Sequence, residues 1–279
     1  MNPKIAYIAA YDLENAETSP EALEAIAKVH AKHDIPATIF MVGRLLEVNP
    51  GKYEVLRDEN LFDVESHTYS HRLLRDSVVH GAGVSLDVVE TEITRANELL
   101  SSTFNKEITG FRTPCGFYQG LQGRKDVQEV LWRNGIRFVS SDLRGKLDTI
   151  PAPFTQPYWY EADGFPQLLE MPGHDWHDNV LKGYGTVPAF WPPIFPWGLP
   201  NRPPETPEEE FSTVYRHSID YAIEQKLDYY SPIMHPWSIY RFNKEAKTID
   251  LILSYAKERG MKFLTYRQMY ERLVEDNRD

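Results

Sequence analysis

The residues in this chain whose types could do chemistry fall in a few short clusters. Asp12 and Glu14 are two acids a single residue apart, in Ala10-Tyr11-Asp12-Leu13-Glu14. His67 and His71 are four apart, in Ser66-His67-Thr68-Tyr69-Ser70-His71. Arg112 precedes Thr113-Pro114-Cys115, Asp142 follows Ser140-Ser141, and His235 stands in Met234-His235-Pro236-Trp237. Two imidazoles four apart share a face if their segment is helical, which suits two ligands on one metal ion. With nine histidines in the chain, such a pair also arises by chance. The acid pair equally reads as a solvated turn, Arg112 as a surface ion pair, and His235 as a loop histidine. Cys115 reads as a small half-buried residue rather than a nucleophile, because a thiol is inert without an activating base.

The elements around these residues give the clusters a common address. Short apolar runs without clean alternation predict buried parallel strands at Ala6–Ala10, Thr38–Val42, Phe62–Glu65, Thr109–Arg112, Arg137–Ser140, Leu168–Met171, Tyr229–Met234 and Lys262–Thr265. Helices are predicted between most of them. Pro20–Lys32 follows Ser19 as N-cap, and Leu86–Leu100 follows Ser85 with Leu86 on its buried face. Asp126–Asn134 stops at Gly135, Pro207–Lys226 opens on Thr206 with Glu209 closing a capping box, and Lys244–Arg259 stops at Gly260. Alternating strands and helices mean an α/β fold with a parallel sheet, open or closed. In such folds ligands bind at the C-terminal rim of the strands. Each candidate lies at the end of a predicted strand, and that joint placement is hard to attribute to chance.

The order of these motifs resembles that of the polysaccharide deacetylases, the NodB-homology carbohydrate esterases. Ser66-His67-Thr68-Tyr69-Ser70-His71 reads as the family's metal motif, Arg112-Thr113-Pro114 as its Arg-x-Pro motif, and Met234-His235-Pro236 as its late Leu-x-His motif. The first motif departs: the family usually has Thr-Phe-Asp-Asp-Gly, whereas Asp12-Leu13-Glu14 resembles the Asp-x-Asp/Glu variant of the allantoinase-like branch. Asp142 keeps only part of the fourth motif, for whose missing tryptophan Trp176 is a candidate substitute. The resemblance extends roughly from Lys4 to Leu273. It implies one domain over 1–279, a distorted (β/α) barrel of seven or eight parallel strands, with a Pro/Trp-rich loop at 184–205.

The resemblance also implies roles. Glu14, His67 and His71 would hold a divalent metal, zinc by default, although cobalt, nickel, iron and manganese suit the same donors. Asp12 would be the general base, with Arg112 and Asp142 orienting it. The assignment in which Asp12 binds the metal and Glu14 is a rim acid is the alternative. The backbone N–H near Cys115 would help bind an oxyanion, His235 would protonate the leaving amine, and Met234 and Trp237 would line a small acyl pocket. The expected reaction is hydrolysis of a non-peptide amide, foremost N-deacetylation of an acetylated amino sugar or saccharide. The competing readings are cyclic amide or imide hydrolysis on a small molecule, and a non-catalytic saccharide-binding barrel.

Composition narrows the partners. Thirty basic residues face 41 acidic ones, a net charge of −11, with no basic run. That argues against a nucleic-acid or anionic-membrane partner. A single cysteine excludes an intramolecular disulfide framework and a cysteine-based zinc site. No apolar run is long enough to span a bilayer, and no signal-peptide pattern opens the chain, so the expected location is cytoplasmic. From Pro188 to Pro204 there are seven prolines among Phe190, Trp191, Phe195 and Trp197, which predicts a rigid loop that is compatible with a homo-oligomer contact.

Overall fold

The computed structural model describes residues 5–14, 20–178 and 203–277. The Pro/Trp-rich loop and Ser19 lie outside these, apart from the loop's last three residues. Strand β1 (Ala6–Tyr7) runs on into β2 (Ala9–Leu13), and β3 (Ala37–Met41), β4 (Phe62–Ser66), β5 (Gly110–Phe117) and β6 (Phe138–Asp142) follow as parallel neighbours. β7 (Tyr158–Tyr160) is an antiparallel edge strand on β8 (Phe165–Glu170), which itself pairs parallel with β6. β9 (Tyr229–Tyr230) pairs with β1, β10 (Ile233–Met234) with β2, and β11 (Lys262–Phe263) with β1.

The sheet closes through a single parallel bridge. Just past β8, the His174 N–H donates to Ser231 carbonyl at 2.8 Å, and the Ile233 N–H donates to His174 carbonyl at 2.9 Å. The approach is tight: a Cβ on Gly173 would lie 2.8 Å from the Ile233 side chain and 2.9 Å from Leu143. Among the described residues the fold is therefore an α/β barrel of seven parallel staves, with β11 a short extra pairing and β7 outside. β7 is absent from the sequence-based strands. The predicted strand Tyr229–Met234 is split into β9 and β10 around Ser231-Pro232, where proline has no N–H to donate.

Alternation along the first stave sorts its side chains. Tyr7, Ala9, Tyr11 and Leu13 pack outward against the helices. Ile8 and Ala10 join Phe40, Phe138, Tyr229 and Tyr266 in the cluster that fills the barrel. Asp12 continues the inward parity, and Glu14 continues it past the strand's end, so one pleat aims both acids at the mouth.

The helices form the outer layer, with four departures from expectation. Pro207–Glu210 and Arg216–Gln225 are joined through a π turn, Phe211–Tyr215, rather than forming one regular helix. Thr206 caps the N–H of Glu209, but the Glu209 carboxylate reaches Glu205 N–H, so the expected capping box is displaced by one residue. The helix expected from Lys244 begins at Lys247, because Asn243 Oδ1 accepts from the N–H groups of Glu245 and Lys247 and holds a turn ahead of it. Leu86, placed on a buried face by periodicity, is exposed at the first turn of Leu86–Phe104.

Candidate active site

The strand ends open into a cleft of about 270 Å³. Asp12, Glu14, His67, His71, Cys115 and His235 line it. The two histidines are brought together by a loop, so the helical condition on their spacing is not what unites them. Thr68 and His71 adopt left-handed backbone, φ 65° and 62°. The Thr68 hydroxyl accepts from His71 N–H at 2.9 Å, and the Thr68 carbonyl accepts from Gly43 N–H at 2.9 Å. Glu92 takes both the N–H and the hydroxyl of Ser70. The two imidazole centroids end 5.0 Å apart.

One ligand atom from each of Glu14, His67 and His71 lies within 4.8 Å of the others. His67 Nδ1–H donates to the Arg112 carbonyl at 2.9 Å, which fixes the tautomer and leaves Nε2 as the free donor atom. Burial pushes His67 down to about 4, against the charge of Asp12, so it stays neutral. Burial would raise the Glu14 carboxyl, but the hydrogen bond from His71 and then the charge of His235 hold it at about 2. One imidazole nitrogen from each of His67 and His71 and an ionised carboxylate are a donor set that fits a divalent metal with open positions.

Asp12 is engaged differently. Its Oδ1 accepts from Arg112 Nη1 at 2.7 Å, a pair sealed inside the barrel. Arg112 is fixed by Ser140 Oγ at 3.2 Å and Tyr266 Oη at 2.9 Å, with its guanidinium over the Phe40 ring at 4.2 Å. Asp142, expected beside Arg112, is elsewhere: its carboxylate accepts from Gln119 N–H at 3.0 Å and Tyr158 Oη at 3.3 Å. Burial and then the charge of Glu170 push it up to about 7. The extra antiparallel strand β7 supplies the tyrosine that draws Asp142 away.

His235 joins the cleft from the end of β10. Its Nδ1 lies 3.2 Å from Asp178 Oδ1, and its Nε2 lies 3.7 Å from Glu14 Oε2. Burial would lower its pKa, but the hydrogen bond and charge of Asp178, then Glu14 and Asp12, raise it to about 9. Sequence reasoning missed Asp178; the signal available was its place in the polar run His174-Asp175-Trp176-His177-Asp178. It also missed Arg144 and His80, both on the cleft wall, whereas Trp176 from that run does line the cleft.

Two expected pocket residues are not on the wall. Met234 is buried in the core, paired with Tyr11, and Trp237 lies outside the cleft lining among the described residues, its ring 5.9 Å from that of His235. Cys115 does line the cleft, with left-handed φ of 65°, and burial pushes its thiol up to about 11, so it is not an activated nucleophile.

Residues 8–138 match the family model for polysaccharide deacetylase. Over this segment, just under half of the chain, the sequence is similar to that family. No curated protein matches it. Solved structures match over nearly its full length. A Mycobacterium smegmatis chain assigned as a polysaccharide deacetylase shares 16% identity, with 99% of this chain and 92% of that chain covered and a TM-score of 0.68. The Puue allantoinase shares 16%, covering 96% and 89%, with a TM-score of 0.65. A CE4 family pseudoenzyme from Bacillus anthracis shares 15%, covering 97% of this chain but only 66% of its own, with a TM-score of 0.56. At these identities the structures establish a common deacetylase-type fold. Among the described residues no helix is long and apolar enough to cross a membrane.

Proposed function

We propose that this chain is a member of the polysaccharide deacetylase family and a metal-dependent hydrolase of non-peptide amides, and that it removes an N-acetyl group from an amino sugar or a saccharide built from one. The observation that supports this most is the convergence of the Glu14, His67 and His71 donors within 4.8 Å of one another, in the cleft that also holds Asp12 and His235. Glu14, His67 and His71 would hold the ion, with zinc the first expectation. When bound, a divalent cation supplies Lewis-acid polarisation of the amide carbonyl and eases the ionisation of water.

The chain's own groups do the rest. Asp12 takes the proton of the attacking water, and its ion pair with Arg112 holds it in orientation. The backbone N–H near Cys115 faces the developing oxyanion. His235, protonated at neutral pH and steadied by Asp178, gives its proton to the departing amine.

Two observations favour a second reading, hydrolysis of a small cyclic amide. The first motif is Asp12-Leu13-Glu14, and the cleft's volume suits a compact substrate. A single experiment covers both. Purified protein and His67→Ala are compared for metal by elemental analysis and for turnover on acetylated chito-oligosaccharides, allantoin and cyclic imides. Stoichiometric metal in the parent, its loss in His67→Ala, and acetate release are expected. Equal metal content in the two would remove the metal assignment; turnover of imides alone would move the substrate to the second reading.

A further inference from the structure

Arg144 is 4% exposed, lines the cleft, and is held rigidly. Its Nε–H donates to Cys115 carbonyl at 2.6 Å and its Nη1 to Asp148 carbonyl at 2.9 Å. Nη2 lies 2.9 Å from His80 Nε2, and the guanidinium sits 4.6 Å over the Trp176 ring. His80 is held neutral by burial and by the Arg144 charge, so its Nε2 is the acceptor.

Among the described residues, all three partners are uncharged. Of the five N–H groups on an arginine, one remains on each terminal nitrogen. The two acids near enough to act on it through space are committed to other donors. Asp148 accepts from the Ser77 hydroxyl and from the N–H groups of Val78 and Tyr118, and Asp178 pairs with His235. Elsewhere in this barrel a buried guanidinium is paired: Arg112 has Asp12 at 2.7 Å. A buried cation without a contacting carboxylate is costly in an isolated protein. The arrangement becomes favourable once a ligand brings the missing anion, and a planar fork suits a carboxylate.

We infer that Arg144 is a specificity-determining residue that receives a carboxylate on the substrate, so that the amide cleaved in this cleft belongs to a carboxylate-bearing molecule. This rests on the amide-hydrolase reading for the reaction, though not for the binding. In a chain of net charge −11, such a local cation also distinguishes the cleft from the surface around it.

The test uses matched neutral and acidic probes: N-acetylglucosamine against its C6 carboxylate, and N-acetylglycinamide against N-acetylglycine. Binding is measured by calorimetry on the Asp12→Asn protein, whose slowed turnover permits equilibrium titration. Acetate release is measured in parallel on the parent. The acid member of at least one pair is expected to bind about tenfold tighter or more, with the preference shrinking as salt is added. The preference should vanish when Arg144→Gln is added and survive, reduced, with Arg144→Lys. Because Arg144 also holds two backbone carbonyls, Arg144→Gln is checked for folding by circular dichroism. If it does not fold, the neutral-versus-acid comparison and Arg144→Lys decide alone. Equal binding of both members of both pairs overturns the inference, as does an undiminished preference in folded Arg144→Gln. A carboxylate preference without acetate release keeps Arg144 in this role and overturns the deacetylation reading instead.

Discussion

Asp12 and Glu14 differ by two positions on one pleat, yet their surroundings separate their tasks. Asp12 faces the Arg112 guanidinium, and Glu14 faces the imidazoles. Asp12→Asn should therefore keep most of the metal and lower turnover by ~10²–10⁴, the scale for losing a positioned proton acceptor. Glu14→Gln should release metal. Elemental analysis alongside rates checks both, and the reverse outcome would exchange the two roles. In the proposed mechanism His235 is expected to set the basic limb of the pH–rate profile. Its pKa is raised above the ordinary imidazole value to about 9, so the acid form persists through neutral pH and is lost as pH rises through that value. Asp178 provides the largest favourable contribution to that rise. Asp178→Asn should thus shift the basic limb toward lower pH by about one unit or more, an opposite charge at this range being worth 1–3 units. His235→Ala should flatten that limb and harm an amide more than an activated aryl ester, whose leaving group needs no proton. A pH series on both substrates decides; an unmoved limb in Asp178→Asn would remove the pairing from the mechanism.

At the scale of elements, the loop after β4 brings two imidazoles together without a helix. Left-handed residues at Thr68 and His71 turn the chain twice within four residues. Single left-handed residues of this kind are tolerated when neighbouring hydrogen bonds fix them, and the Thr68 hydroxyl on His71 N–H is one such bond. Thr68→Val keeps the shape and removes the acceptor. Metal affinity is expected to fall about 10–100-fold, the usual effect of losing a group that orients a ligand. Competition with a chromophoric chelator measures it, and unchanged affinity would show that the backbone alone fixes the loop.

At the scale of the molecule, the barrel is held shut by two backbone hydrogen bonds around His174, beside a glycine with no room for a Cβ. The same closure carries the chain from β8 toward Trp176 and Asp178, so it places one wall of the cleft. Gly173→Ala should force the Ile233 and Leu143 side chains to shift, costing about 1–3 kcal/mol as overpacking does. Denaturant unfolding reads the loss. A Gly173→Ala protein of parental stability would mean that the seam repacks freely, and its His235 pH profile would then be expected to match the parent's.

The sequence alone determined the alternating architecture and the address of most site residues, for a local reason. Parallel strands buried on both sides read as apolar runs, and functional side chains at their ends are found by following the chain a few residues further. The i,i+2 parity that sends Asp12 and Glu14 into one mouth is likewise local. Tertiary structure decided the pairings. Asp178 reaches His235 only because the segment after β8 is drawn against the strand that ends in β10. Asp142 is taken by Tyr158 because a short antiparallel strand, too irregular to show as a period, packs at the sheet's edge. Met234 falls on the core side of its strand since β10 is only two residues long and its facing is set by the register with Tyr11. Arg144 stands in no motif that the sequence shows. Its burial without a contacting carboxylate follows from what surrounds it in space, which no spacing along the chain encodes.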